Sequence, residues 1–201
     1  IILVTLLITF FSVKAEDGLT IVAVGEAEVE KDKLIFVADE IPSSATSEQR
    51  SLINEMQTLL QNDFSFYKQF FDVTDSTNYT SMAKEKNFSA LKEKSVRYLF
   101  LSSFEQNTGG QVGVEVSLYD VASGDEVLEV RSTFSSYNIR EEGHRLTDQL
   151  YRKIKNAESI FQSKVIFVSD RNSTRSKSVK ELYMMDFDGR NPKQLTRHGG
   201  T

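Results

Sequence analysis

Cysteine is absent from the 201 residues, which excludes disulfide stapling and thiolate chemistry together. That absence fits the cytoplasm, and equally an oxidising compartment in which the fold needs no bridges. Histidine is scarce: there are two, His144 and His198, and two such ligands do not make a zinc site. Positive charge is in deficit, 24 Lys and Arg against 29 Asp and Glu for a net charge of −5. A nucleic-acid binder needs the opposite balance, a basic footprint. The sequence has no Gly-x-Ser-x-Gly elbow, no phosphate-cradling glycine loop and no paired-histidine metal motif, so the common signatures of hydrolytic and nucleotide chemistry are missing. What is present is a core: 39% of the residues are hydrophobic, too many for a disordered chain. The length suits one domain and part of a second.

Ile1 to Val13 is apolar apart from Thr5, Thr9 and Ser12. As a helix it spans about 20 Å, short of the roughly 30 Å hydrocarbon core of a bilayer. Val13-Lys14-Ala15 and acidic Glu16-Asp17 follow, the pattern of a secretory signal peptide with its small-residue cleavage site. The expectation is a leader over residues 1–15, its start clipped for want of Met and a basic segment, and a mature chain from Glu16. A buried strand or a membrane anchor are the duller readings.

Leu19 to Val29 and Leu34 to Val37 read as strands joined by a charged turn, Glu30-Lys-Asp-Lys33. Thr46 and Gln49 form a capping box, and Leu52, Ile53, Met56, Leu59 and Leu60 recur at helical spacing behind it. A second, weaker helix covers Asn87 to Lys94. A meander follows: Arg97 to Phe104, a Gly109-Gly110 turn, Gln111 to Val121, an Ala122-Ser-Gly-Asp125 turn, and Glu126 to Phe134. In its middle strand Val112, Val114, Val116 and Leu118 alternate with Gly113, Glu115, Ser117 and Tyr119, predicting one buried and one wetter face. Asn138, with Glu141 three residues on, predicts the cap of a last helix whose stripe is Leu146, Leu150 and Ile154. The fold class is therefore α+β, a sheet with amphipathic helices on one face, ending near Asn156.

Beyond that point the pattern changes. Lys164-Val-Ile-Phe-Val-Ser169 and Lys180-Glu-Leu-Tyr-Met-Met-Asp-Phe-Asp-Gly189 place apolar side chains on both faces of two strands, with a tight Asp188-Gly189 turn after them. Such strands must be covered on both sides, as in a blade of a β-propeller stacked between neighbours. The domains expected are 16–157, an α+β unit, and 158–201, an incomplete first blade. With no Pro/Ser-rich linker between them, the two are expected to touch.

Candidate chemistry is thin. His144 and Asp148 lie four apart on the last helix and are expected as an exposed or interdomain polar pair rather than a catalytic one. The carboxylates fall mostly at turns and helix faces, where solvation explains them. Arg171, Arg175, Lys177 and Lys180 form a basic loop, an anionic-partner site or simply a soluble hairpin loop. Phe64, Phe66, Tyr67, Phe70 and Phe71 are expected to pack beneath the preceding helix rather than cage a ligand. Asn78, Asn87 and Asn172 head glycosylation-type triplets that matter only in a pathway that glycosylates. No catalytic, metal or cofactor residue is assigned.

The ordered set resembles the TolB family, the periplasmic component of the Tol–Pal envelope system of Gram-negative bacteria. The resemblance runs from about Leu19 to Thr196. It rests on Leu60-Gln-Asn-Asp-Phe-Ser-Phe66, Leu118-Tyr-Asp-Val-Ala-Ser-Gly124, the helix from His144 to Asp148 with Ile160 to Val168, and Leu182 to Thr196. It implies an α+β domain followed by a six-bladed propeller, of which only the first strands are present. It implies no enzymatic activity, no cofactor, no nucleic acid and no small-molecule substrate. The implied role is an interaction scaffold linking TolA and Pal, with other outer-membrane proteins as further partners, in envelope integrity and cell division. TolA binding would fall on Glu16, Asp17, Leu19, Ile21, Val22 and Gly25. The chain departs from the family pattern at Tyr67-Lys68-Gln69, Ala38-Asp39 and Ile154-Lys155-Asn156. The competing reading is a secreted serine peptidase gated by a propeller, with its catalytic domain downstream.

Overall fold

The computed structural model describes residues 30–197. The expected leader, the strand over residues 19–29, the candidate segment from Glu16 to Gly25 and His198 lie outside them. Strand β1, Asp32–Ala38, buries Leu34 to Val37 on both faces, as a strand with parallel neighbours on each side must. Asp32 and Lys33, assigned to a turn from the sequence, already pair with Phe71 and Asp72 in the ladder. Helix α1, Ser47–Phe66, starts at the expected box: the Thr46 hydroxyl accepts from the Gln49 amide at 3.2 Å and Gln49 Oε1 accepts from the Thr46 amide at 3.1 Å. Its stripe extends one turn beyond the expected one, to Phe64.

A short strand β2, Phe71–Thr74, and the short helices α2, Thr80–Lys84, and α3, Phe88–Glu93, lead to β3, Val96–Gln106. Strands β4, Val112–Asp120, and β5, Asp125–Phe134, complete a five-stranded sheet in the order β2-β1-β3-β4-β5. β1 is parallel to β2 and β3, while β3, β4 and β5 form an antiparallel meander. Gly109 and Gly110 take φ of 70° and 78° in the turn before β4, a left-handed geometry that glycine adopts without steric cost.

Helices α1 and α4, Ile139–Lys155, cover the face formed by Leu34, Phe36, Phe100, Val114, Val116 and Leu118. The other face is drier than the alternation in β4 predicts. Ala83 of α2 and Leu91 of α3 close over Ile35, Val37, Leu99, Tyr119 and Val121 there. The Tyr119 hydroxyl accepts from Lys86 Nζ and donates to Glu126 Oε2, both at 2.7 Å, so the buried ring keeps a satisfied polar end. β2 and α2 escape sequence reading because four or five residues carry no period.

Asn138 precedes α4 as expected but does not cap it. Its Oδ1 accepts from the Ser135 amide at 2.8 Å and holds the preceding turn instead. Glu141 and Glu142 in the first turn and Arg152, Lys153 and Lys155 in the last complement the helix dipole. Asn156 ends the helix in the left-handed region.

A second, antiparallel sheet follows in the order β6-β7-β8, with β6 Lys164–Ser169, β7 Glu181–Asp186 and β8 Lys193–Gln194. Cross-strand partners Ile166–Met184 and Val168–Leu182 share one face, Val165–Met185 and Phe167–Tyr183 the other. On the first face Ile166 and Val168 remain 63% and 61% exposed and Leu182 39%.

Phe64 touches Phe36, Phe71, Phe100 and Phe161 at the centre of the core. Phe64→Ala is expected to lower stability to urea by about 3–5 kcal/mol, and Thr46→Ala by about 1 kcal/mol, with the m-value unchanged in both.

Candidate functional site

Buried polar side chains gather where α1, α4 and the turn between β7 and β8 meet. Gly143 lets the two long helices approach: a Cβ there would lie 2.5 Å from Leu59 Cδ2. One residue on, His144 is buried, its Nδ1 2.8 Å from Asp63 Oδ2 and its Nε2 3.2 Å from Arg140 Nη2. Because a guanidinium only donates, Nε2 is the acceptor, and the ring proton sits on Nδ1, donated to Asp63. The Thr147 hydroxyl also reaches Asp63 Oδ2, at 2.5 Å.

Arg140 extends this network to the second sheet. Its Nη2 donates to Asp188 Oδ2 at 2.6 Å and its Nε lies 3.4 Å from Asp186 Oδ2. Asp186 further accepts from Lys164 Nζ at 2.6 Å and Asn191 Nδ2 at 2.8 Å. Burial pushes the Asp186 carboxyl up, but bonds from Lys164, Asn191 and Arg140 outweigh it and hold the group below the usual carboxylate range. Asp188 is likewise raised by burial and lowered further by Arg140 and the Arg190 amide. Asp63 is the reverse case: burial dominates its contacts with His144 and Thr147 and holds it above the ordinary value.

Apolar contacts run beside the polar ones. The Phe187 ring stands edge-on to His144 at 5.1 Å and meets Phe161 at 5.5 Å and Phe66 at 5.4 Å. Asp148 anchors the connecting segment, accepting from Ser159 Oγ at 2.7 Å, Gln162 Nε2 at 2.9 Å and Arg152 Nε at 2.9 Å.

His144 and Asp148 are therefore not a mutual pair, and neither is exposed. Each belongs to a separate buried network: His144 meets Asp63 of α1 and Arg140, which reaches the β7–β8 turn, whereas Asp148 holds the segment between α4 and β6. Solvation does not explain Asp63, Asp148 and Asp186, which are all buried. Of the aromatic cluster, Phe64 and Phe71 are core. Tyr67 stacks on Tyr151 at 4.6 Å and its hydroxyl accepts from the Ile160 amide at 3.1 Å. Phe66 and Phe70 are 51% and 38% exposed. In the basic loop Arg171 lies over the Tyr183 ring at 4.4 Å, and Asn172 donates to the Tyr183 hydroxyl at 2.8 Å. Asn87 caps α3 through the Ala90 amide. Arg140 was not singled out from the sequence, and no local signal marks it, since its carboxylate partners lie 46 and 48 residues away.

Chemically the arrangement is a fastening. Donor atoms of His144, Asp186 and Asp188 converge within 4.8 Å, but the Arg140 guanidinium contacts all three residues and supplies the cation itself. Thr147, His144 and Asp63 do not form a nucleophile relay, because the carboxylate rather than the imidazole is the shared partner and Thr147 is fully buried. Among the described residues no helix is long and apolar enough to cross a membrane.

These features define a protein class, an α+β domain fastened through one helix to a three-stranded antiparallel sheet. No family model matches the chain. It is 24% identical over 157 residues to the Tol-Pal system protein TolB of Orientia tsutsugamushi (strain Boryong), covering 77% of this chain and 34% of that protein. To the TolB of Myxococcus xanthus (strain DK1622) it is 32% identical over 133 residues, covering 63% and 30%. The crystal structure of TolB from Acinetobacter baumannii superposes with a TM-score of 0.64 at 17% identity, covering 85% of this chain and 39% of that one. The chain is TolB-like, and it spans about a third of the length of these curated relatives.

Removing the guanidinium in Arg140→Met leaves Asp186 and Asp188 without their shared cation. The cost is expected between the surface and buried limits for ion pairs, roughly 1–3 kcal/mol at pH 7. The two depressed carboxyls contribute stability above their unfolded pKa, about 3.9, which is lost as pH falls through their folded values. Raised Asp63 contributes with the opposite sign, its share fading as pH rises. Urea unfolding between about pH 3 and 7 should show a smaller acid loss in Arg140→Met than in the parent chain.

Proposed function

We propose that this chain is the front part of a non-catalytic, periplasmic scaffold of the Tol–Pal system, exported on a leader over residues 1–15. In this reading residues 16–157 are the α+β domain and residues 158–201 open the first blade of a propeller. The observation that supports it best is the conjunction of TolB sequence similarity over 77% of the chain with the TolB fold over 85% of it. The exposed stripe Ile166, Val168 and Leu182 supports the same reading, because an apolar sheet face calls for a neighbouring sheet.

The scaffold works by holding two partners. The acidic, strand-prone segment Glu16, Asp17, Leu19, Ile21, Val22 and Gly25 engages TolA by adding to a sheet edge, and the propeller surface holds Pal. The linkage maintains the outer membrane and assists division, without any reaction at the Arg140 junction. Binding at one end would alter the other only if the junction has two arrangements with different affinities.

Immobilised TolA should capture the mature chain, and a chain lacking residues 16–27 should lose that capture. Equal capture of the two would remove the assignment to this segment, and capture of neither would remove the TolA role.

A further inference from the structure

We infer that the junction is an acid-responsive joint: a proton on His144 Nε2 makes the imidazole compete with Arg140 for the Asp186 and Asp188 carboxylates, and the β7–β8 turn re-seats on α4. In the observed state Nε2 spends its lone pair on Arg140 Nη2 at 3.2 Å, while Nδ1–H is committed to Asp63. A proton on Nε2 converts that bond into two donors, both cationic, facing each other at hydrogen-bond distance. Neither residue can withdraw along the backbone, since both belong to one turn of α4. The adjustable element is the turn that Arg140 holds.

The charges around the ring decide the direction of the change. From α1 it faces Asp63, and from its own helix Arg140. The turn presents Asp186 and Asp188, whose oxygens lie within 4.8 Å of a His144 ring nitrogen. Lys164 of β6 acts through Asp186; Glu55 of α1, Glu141 of α4 and Lys193 of β8 line the same cleft, and Arg190 of the turn lines the adjoining one with Asp63 and Asp188. Carboxylates outnumber cations in this set, so an imidazolium is accommodated by exchange of partners rather than expelled. A carboxylate that leaves Arg140 for His144 drags Phe187, edge-on to the imidazole at 5.1 Å, and with it the Phe187 contacts to Phe161 and Phe66.

Nuclear magnetic resonance of the whole chain tests this between about pH 8 and 4.5, the span in which imidazoles ordinarily gain a proton. With two histidines in the sequence, a His198→Gln variant assigns both rings. The expected result is one midpoint shared by the His144 ring signals and by the backbone amides of Asp188, Gly189 and Arg190. The Phe187–His144 cross-peak should be lost over the same step. His144→Gln should abolish the amide step. Turn amides that titrate with a different midpoint, a step that survives in His144→Gln, or a His144 ring that does not titrate would each overturn the proposal. The comparison of midpoints needs only chains with His144 intact, so a poorly folding His144→Gln leaves it decisive.

Discussion

One guanidinium ties this structure together. Arg140 stands in the first turn of α4, bonds Asp188 at 2.6 Å, and shares His144 with Asp63 of α1. Three elements far apart in sequence thus meet on one cation. Each buried carboxylate costs desolvation that its partners must offset, and removing Arg140 leaves Asp186 to Lys164 and Asn191 and Asp188 to the Arg190 amide. Phe161 and Phe187 supply non-directional burial beside this network. Arginine suits the place because its planar fork serves several acceptors at once, which a lysine ammonium on a flexible stem does less well.

The legible part of the fold is the part written in short-range patterns. The capping box at Thr46, the stripe from Leu52 to Leu60 and the Gly109-Gly110 turn are local, so sequence spacing suffices for them. The wetter face predicted for β4 is instead dry at Tyr119 because α2 and α3, one of them too short to show a period, cover it. Asn138 has the right type and position for a cap, but the Ser135 amide claims its oxygen. His144 and Asp148 are legible as residues but do not pair: Asp148 bonds Arg152, Ser159 and Gln162 close by in sequence, whereas His144 takes Asp63 from α1, 81 residues away, which no local spacing reveals. Arg140 was invisible for the same reason.

The segments that carried the family resemblance gain a physical meaning here. Leu60 to Phe66 contains Asp63, the helix from His144 to Asp148 contains both buried polar anchors, and Leu182 to Thr196 contains Asp186 and Asp188. Three of the four segments converge on the Arg140 junction, so a text-level likeness and a single packed site have the same content. The remaining segment, Leu118 to Gly124, holds Tyr119 and the Asp120 carboxylate that pairs with Arg97 at 2.6 Å. It closes the opposite layer instead.

Phe161 has only 1% of its surface exposed and packs on Phe64, Tyr67 and Tyr151 within the α+β core as well as on Phe187 beyond it. The side chain belongs to neither sheet and completes both. A fluctuation that peels the second sheet away therefore opens a hole in the middle of the first layer. Hydrogen exchange in β7 and in α1 would then follow one common opening, and the joint would melt as part of a single cooperative unit.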